Sequence, residues 1–403
     1  MKVLIVDFWS DGNIGDAIMQ CEILEQSLDV SNDIHVISCF GYNQFQLNAF
    51  NESLQFDNVT WHPSSFDTFI KLDSFTEKQN TGRVFRLIRT FSSLVMANLR
   101  NSLYSITKNR LFLGKLSYLK EEKFDAIVFN GRNYRDFNSF LKNYINNQPL
   151  LINQIFINNL FPDTPKLNAG FSTWGLDANV KKFIANTWHH YTDNVAREKF
   201  SLAYMNDNFD FDVSYKKDLS FDYLSSRTNI SYKKVKKIAF SLTAVSDIDG
   251  YIKQVNNVLM YFCNKGYEIV LIEQVYLAHE NVDYLKKLIN VPFINLSSKK
   301  ISNILSFYKE CELVLSTRMH GSIMALSQGC RVASIAYDDG AKWCILKDDI
   351  HQYPIFTPVK SSSDDIINYL ESEASILHSH SFVEKIESGQ QKYVSQFLRN
   401  INS

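Results

Sequence analysis

Leu313-Val-Leu315 is a short apolar run, bounded by charge before it and by Ser316-Thr-Arg-Met-His320 after it. Such a run reads as a buried strand. Gly321 to Gln328 then carries small and apolar residues at helical spacing, Gly329 supplies a stop, and Val332 to Ala336 is a second apolar run. This is a strand–helix–strand unit, and few folds accept it except a parallel α/β sheet. It places Arg318 and His320 where the first strand ends, the position at which open α/β sheets bind ligands. The helix N-terminus beside them favours an anion. On an extended strand end, residues two apart point to one side, so Arg318 and His320 are expected to face the same ligand.

The same alternation runs along the whole chain. Strands are expected at Lys2–Asp7, Ile34–Ser38, Val59–His62, Asp125–Phe129, Leu167–Phe171 and Asn194–Ala196, with a Gly-punctuated turn at Asp11–Asp16 and a helix over Ala17–Leu28. A second cycle begins near Val235. It has strands at Ile238–Leu242 and Glu268–Ile272, and helices at Asp247–Lys265, Val282–Leu288 and Ser302–Tyr308. At 403 residues the chain exceeds one ordinary core. The expectation is an α/β protein of parallel sheets: two Rossmann-like domains facing a cleft. The first spans 1–228 and the second 229–403, joined through the polar stretch Ser225–Lys234, with the last helix packing back on the first domain.

Composition excludes several classes. A net charge of −1 excludes a general nucleic-acid binder. No stretch reaches the 18 uncharged apolar residues of a membrane span, and Asp7 and Asp11 interrupt the N-terminal apolar run, so no secretory leader is read there. The six cysteines form no C-x-x-C pair, which suits a reducing cytoplasm and small core residues. No metal-ligand spacing is present, so no metal is expected. The exception to charge balance is 77–120, with nine Lys/Arg against Glu77, a net +8. Phe85, Leu87, Ile88, Phe91, Leu94, Val95 and Met96 lie among the cations. Two readings stand for this insertion: a solvated helical cover on one sheet edge, or a helix lying on an anionic membrane surface.

Three further positions carry chemistry. Gly12 and Gly15 allow close backbone approach, Asn13 donates and accepts, and Asp16 is a carboxylate at a helix start. Asp16 is either a helix cap or a group that binds a sugar hydroxyl or acts as base. The turn lacks both G-x-G-x-x-G and a Walker lysine, so a dinucleotide or nucleotide phosphate is not indicated. Arg132 and Arg135 follow the mid-domain strand and are either acidic-acceptor ligands or loop surface. Asp338 closes the second strand of the opening unit as site residue or loop cap. His189 and His190 are adjacent, so on a helix at most one faces a site.

Together these residues resemble the polysaccharide pyruvyl transferase family. Asn13-Ile-Gly-Asp16, with Gln20 on the following helix, is similar to the family's N-x-G-D. Arg197-Glu-Lys-Phe-Ser201 is similar to R-D-x-x-S, with Glu198 for Asp. Lys217-Asp218-Leu-Ser-Phe221 resembles D-P-A-F. Arg318-Met-His-Gly321, Gly329 and Ile335-Ala-Tyr-Asp338 resemble R-x-H … G-x-P … I-x-Y-D, without the proline. The family's Gly-rich mid-domain turn is here Asn130-Gly-Arg-Asn-Tyr-Arg135, with one glycine, which puts the acceptor pocket outside the usual pattern.

The resemblance implies a GT-B-like architecture and transfer of a pyruvyl group from phosphoenolpyruvate to a sugar of a cell-surface polysaccharide or its lipid-linked precursor. Phosphoenolpyruvate is then a co-substrate and no cofactor is needed. By the same resemblance Arg318 and Arg197, with Met319 and Gly321 at the helix start, bind the donor. His320 is its phosphate contact or acid and Asp16 the base; Asn13, Gly15, Asp338 and Arg132 line the substrate site. The protein is expected in the cytoplasm at the inner face of the membrane, with 77–120 as a peripheral contact. Two other readings stand: a GT-B glycosyltransferase using a nucleotide sugar, and a non-catalytic binding protein that keeps the fold.

Overall fold

The computed structural model describes residues 1–8, 13–38, 58–62, 95–96, 99–100, 102–108, 118–135, 153–228, 234–241, 248–274, 291–297, 299–336, 343–357, 360–387 and 390–403. Among them are two parallel sheets. In the first, β1 (Lys2–Phe8), β2 (Asp33–Ser38), β3 (Val59–His62), β4 (Ala126–Asn130), β6 (Lys166–Trp174), β7 (Asp193–Ala196) and β8 (Ser214–Tyr215) lie in the order 3-2-1-4-6-7-8, and β5 (Asn133–Arg135) pairs with β6. In the second, β9 (Val235–Ser241), β10 (Glu268–Glu273), β11 (Phe293–Asn295), β12 (Cys311–Ser316), β13 (Arg331–Ile335) and β14 (Ile355–Phe356) lie in the order 11-10-9-12-13-14. Both orders reverse direction once, between β1 and β4 and between β9 and β12, and the crevice at such a reversal is where doubly wound sheets take ligands.

The central strands are apolar throughout because both faces are covered. Val3 to Val6 and Leu313 to Leu315 are at most 1% exposed. The helices used below are α1 (Ile14–Leu28), α2 (Ala178–Thr187), α3 (Lys199–Asn208), α4 (Leu219–Ser225), α5 (Ile248–Asn264), α6 (Ile301–Glu310), α7 (Met319–Ser327), α8 (Cys344–Asp349), α9 (Ser363–Glu371), α10 (Glu373–Glu387) and α11 (Tyr393–Asn402). One apolar core runs through both units. Ile18, Ile23 and Val195 of the first pack in the same cluster as Ile304, Ile323 and Val332 of the second. The chain crosses twice, between Ser225 and Val235 and again between α10 and α11. Val394, Phe397 and Leu398 of α11 join this core, and the helix packs on α1, β4 and β6 of the first unit.

Two sequence expectations are corrected here. The first helix begins at Ile14 rather than Ala17, because Asn13 is its cap: the Asn13 side chain accepts the Gly15 amide at 3.2 Å. Asp16 therefore stands in the first turn and is not the capping residue. Likewise α7 begins at Met319, with Arg318 at its N-cap position. Ser316 Oγ accepts the Arg318 amide at 3.1 Å and donates to the Arg318 carbonyl at 2.9 Å, so the chain turns before His320. Arg318 and His320 are thus not neighbours on an extended strand end; His320 is in the first helical turn.

The expected helix at Val282–Leu288, Asp338 and most of 77–120 lie outside the described residues. Among the described residues no helix is long and apolar enough to cross a membrane.

Candidate functional site

At the carboxyl end of β1 the backbone takes an uncommon form. Asp7 has φ +67°, a left-handed conformation that a non-glycine residue holds only when its neighbours fix it. They do: the Asp7 carbonyl accepts from Asn130 Nδ2 at 3.2 Å and Arg132 Nη2 at 2.6 Å, and Asp7 Oδ1 accepts from Asn153 Nδ2 at 3.0 Å. This ties the end of β1 to the turn after β4. Arg132 is 8% exposed, and its Nη1 lies 3.7 Å from Asp16 Oδ1. Asn13 Nδ2 donates to Asp16 Oδ2 at 2.7 Å. The Asp16 carboxylate is therefore oriented from two sides, and Arg132 is engaged in holding it rather than standing on a loop surface. Arg135 has no described side chain.

Arg197 directly follows β7 and is 3% exposed. Its Nε donates to Ser172 Oγ at 2.7 Å, and Nη1 to Asp218 Oδ2 at 3.1 Å and Met19 Sδ at 3.2 Å; Nη2 donates to Asn133 Oδ1. Beside it, Glu198 accepts from Ser172 Oγ at 2.9 Å and from Ser201 Oγ. Burial pushes the Glu198 carboxyl up to about 7, against the pull of Arg197 and the two serine hydroxyls. The Glu198 carboxylate thus reaches both serines.

Asp218 caps α4, accepting the Ser220 amide at 2.9 Å on Oδ1. It is 1% exposed. Burial alone would raise its pKa, but His320, Arg197 and the Ser220 hydrogen bond outweigh burial and hold it well below the usual carboxylate range. Its Oδ1 lies 3.6 Å from His320 Nε2. Asp218 thus joins an arginine of the first unit to the histidine of the second.

The two units also touch directly. A Cβ on Gly15 would fall 2.6 and 2.7 Å from His320 Cγ and Cβ, and closer still to Nδ1, so only glycine fits against that imidazole. A Cβ on Gly321 would fall 2.6 Å from Gln274 Oε1 and 2.8 Å from its Cδ. Gln274 directly follows β10, its carbonyl accepts the Ile14 amide at 3.5 Å, and its side chain donates to Tyr308. The N-termini of α1 and α7 are therefore brought together; at α1 the Ile14 and Gly15 amides bond Gln274 and Asn13, and at α7 the first-turn amides have no intrahelical partners. Two helix N-termini, Arg318, Arg197 and Arg132 make this an environment for a small anion.

The sequence-derived residues Asn13, Gly15, Asp16, Arg132, Arg197, Arg318, Met319, His320 and Gly321 all fall on this one rim, formed by the carboxyl ends of β1, β4, β7 and β12. His189 and His190 do not. They form a short 3-10 turn after α2, are exposed, and lie against one another with ring centroids 3.6 Å apart. Asn133, Ser172, Asp7 and Gln274 were not singled out in the sequence, because each is a common polar residue at a strand end. Asp218 had a signal, the cap pattern Asp-Leu-Ser before an apolar helix. Among the described residues no three His, Cys, Asp or Glu side chains gather as metal ligands do.

Residues 13–339 match the family model of polysaccharide pyruvyl transferases. The chain belongs to that family. Membership makes it a transferase family member with a saccharide acceptor. Curated proteins gave no match. Among solved structures, a UDP-N-acetylglucosamine 2-epimerase from Rickettsia bellii is similar in fold at 9% identity, covering 100% of this chain and 96% of its own, with a TM-score of 0.58. The UDP-GlcNAc 2-epimerase of Methanocaldococcus jannaschii, solved with UDP-GlcNAc and UDP, is 13% identical over 96% of this chain and 99% of its own, at a TM-score of 0.54. That of Neisseria meningitidis, bound to UDP-GlcNAc, is 13% identical over 100% and 99%, at 0.51. At these identities the likeness is one of architecture, and it makes this pyruvyl transferase family member a GT-B-type α/β protein of two parallel sheets.

Proposed function

We propose that the protein transfers the pyruvyl group of phosphoenolpyruvate to two hydroxyls of a sugar in a cell-surface polysaccharide or its lipid-linked precursor, closing a ketal and releasing phosphate. The observation that carries this reading is the Arg197–Asp218–His320 series, which joins the two units at the rim where both sheets reverse. Phosphoenolpyruvate carries its charge at two ends. Arg318 and the α7 amides from Met319 to Gly321 suit one anionic group, and Arg197 the other.

The chemistry needs an acid and a base. A proton from His320 goes to the methylene carbon, which becomes the methyl group, and C2 gains cationic character. One sugar hydroxyl attacks C2 and loses its proton to Asp16. A second hydroxyl then displaces phosphate, which leaves with the remaining proton. Asn13, the Gly15 amide and Arg132 hold Asp16 and the acceptor in place, and Asp338, outside the described residues, keeps its role as an expectation. The segment 77–120 is proposed to meet an anionic membrane surface, the place of a lipid-linked acceptor. Among its described residues Val95, Met96, Leu99 and Ile106 are 41–80% exposed.

Calorimetric titration of the full chain with phosphoenolpyruvate and, separately, with UDP tests the donor. Saturable binding of phosphoenolpyruvate is expected. Binding of UDP alone would replace this reading with a nucleotide-sugar transferase.

A further inference from the structure

His320 has two ring nitrogens, and their surroundings differ. Nε2 is shut off from solvent without a hydrogen-bond partner among the described residues, and Asp218 Oδ1 lies 3.6 Å from it. Nδ1 is on the opposite edge, against Gly15 at the start of α1. Asp218 is itself immobilised: Arg197 holds Oδ2 at 3.1 Å, and the Ser220 amide holds Oδ1 at 2.9 Å. An ionised carboxylate only accepts hydrogen bonds. A neutral imidazole facing it gains by carrying its hydrogen on Nε2, and loses by presenting a lone pair to a negative oxygen.

We infer that Asp218 is a positioning residue that fixes His320 as the Nε2–H tautomer, so that Nδ1 is the nitrogen that exchanges a proton with the substrate. This rests on the reading of His320 as the acid of pyruvyl transfer. It places the reacting methylene carbon at the Nδ1 edge of the imidazole, clear of the Gly15 contact itself and near the start of α7. Asp218 belongs to the first unit and His320 to the second, so the tautomer is set only when the two units are closed on one another. Closure and readiness to transfer a proton are then one event. The logic parallels serine-protease triads, where an aspartate holds the catalytic imidazole in its working tautomer and its replacement by asparagine lowers kcat by about 10⁴-fold.

Asparagine at 218 has a defined outcome here. The charged Arg197 requires an acceptor more than the neutral Ser220 amide does, so the amide oxygen turns to Arg197 and the NH2 turns toward His320, giving up the Ser220 bond. That NH2 donates to Nε2 and drives the hydrogen to Nδ1. The experiment uses the full chain labelled with ¹⁵N-histidine, with the His320 resonances assigned by their loss in His320→Gln. The wild-type protein is expected to show the Nε2–H tautomer when neutral; an Nδ1–H tautomer or an even mixture overturns the inference without any variant. In Asp218→Asn the tautomer is expected to invert. There kcat for phosphate release falls about 10²–10⁴-fold while the KM for phosphoenolpyruvate changes less than about fivefold.

A folded Asp218→Asn that keeps kcat within about threefold overturns the inference. So does one that loses kcat and phosphoenolpyruvate affinity together with its tautomer unchanged, because that pattern marks a structural role. If the wild-type protein fails to bind phosphoenolpyruvate by calorimetry, the donor assignment falls, and the tautomer measurement still decides the role of Asp218.

Discussion

Gly15 in the first turn of α1 lies directly against His320 in the first turn of α7, beside Nδ1, Cγ and Cβ. Neither residue leaves room for a side-chain atom between them, so the position of one helix start sets the position of the other.

Gly15→Ala tests that contact. Alanine favours a helix over glycine by about 1 kcal/mol, so α1 gains locally. The added methyl must displace His320, and misplacing a reacting group by about 1 Å costs about 10²-fold in rate. The expected result is a melting temperature within a few degrees of wild type with kcat reduced at least 50-fold, roughly, by the same reasoning. Unchanged turnover would show that the imidazole moves freely.

Arg318→Ala removes a guanidinium from the N-cap of α7 while leaving the backbone turn held by Ser316. Two charge-assisted hydrogen bonds to a donor anion amount to about 3–5 kcal/mol, or a loss of roughly 10²–10⁴-fold in affinity. Calorimetry and phosphate release measure it, with circular dichroism as the check on folding. Phosphate release at the wild-type rate would remove Arg318 from the donor site.

Stability should fall as pH rises. Burial lifts Glu22 to about 8 and Glu198 to about 7, both from 4.5. The folded protein therefore keeps protons that the unfolded chain releases near 4.5. The favourable difference is complete below that pH and is lost progressively up to about 7–8. Asp218 works in the opposite direction, since its depressed pKa adds stability above 3.8 that disappears under acid. Urea midpoints from pH 5 to 9 should decline and then level, by an amount on the order of 1–3 kcal/mol for each buried carboxyl. Glu22→Gln keeps the bond with Gln26 and should flatten the upper part of the decline. An equal slope in that variant would exclude Glu22 as its source.

Asp222 holds the last helix. It accepts the Gln391 and Lys392 amides at 2.9 Å each and Gln26 Nε2 at 3.3 Å, and it is 6% exposed. Asp222→Ala leaves these donors without their acceptor, at about 2–3 kcal/mol. Faster proteolytic cutting ahead of α11 and a lower urea midpoint are expected; resistance equal to wild type would mean that Val394, Phe397 and Leu398 suffice to hold the helix.

The basic segment has its own test. Replacing Arg83, Arg86 and Arg89 with glutamine should weaken association with anionic liposomes by roughly 10²-fold, at about 1 kcal/mol for each cation. Flotation that matches wild type would reject a membrane role.

Much of the fold was legible because parallel strands buried on both faces must be apolar runs. Lys2–Asp7, Glu268–Ile272 and the unit around Leu313 all appear in the structure within two residues of their expected bounds. Helix starts were less legible. Asn13 and Arg318 begin their helices earlier than the apolar periodicity does, since the first turn of each is given to polar and small residues at the site. The short strands β8, β11 and β14 carry too few residues for periodicity to show. The partners of Arg197 were the least legible part. Asn133, Ser172 and Met19 are separated from it by 64, 25 and 178 positions, and only folding brings them together.

The return of α11 to the first unit has a consequence for how the protein is made. The first unit holds both β1 and α11, which the whole second unit separates in the chain, so its core waits for a segment made after that unit. On the ribosome the second unit, complete once α10 has emerged, is free to form before the first is finished. Because Asp222 and Gln26 clasp α11 on α4, which Asp218 caps, and α1, which carries Asp16 in its first turn, the rim is assembled only once α11 has emerged and docked. A chain cut ahead of α11 would thus be left with the second unit folded and the first open, a failure that quality-control proteases can recognise.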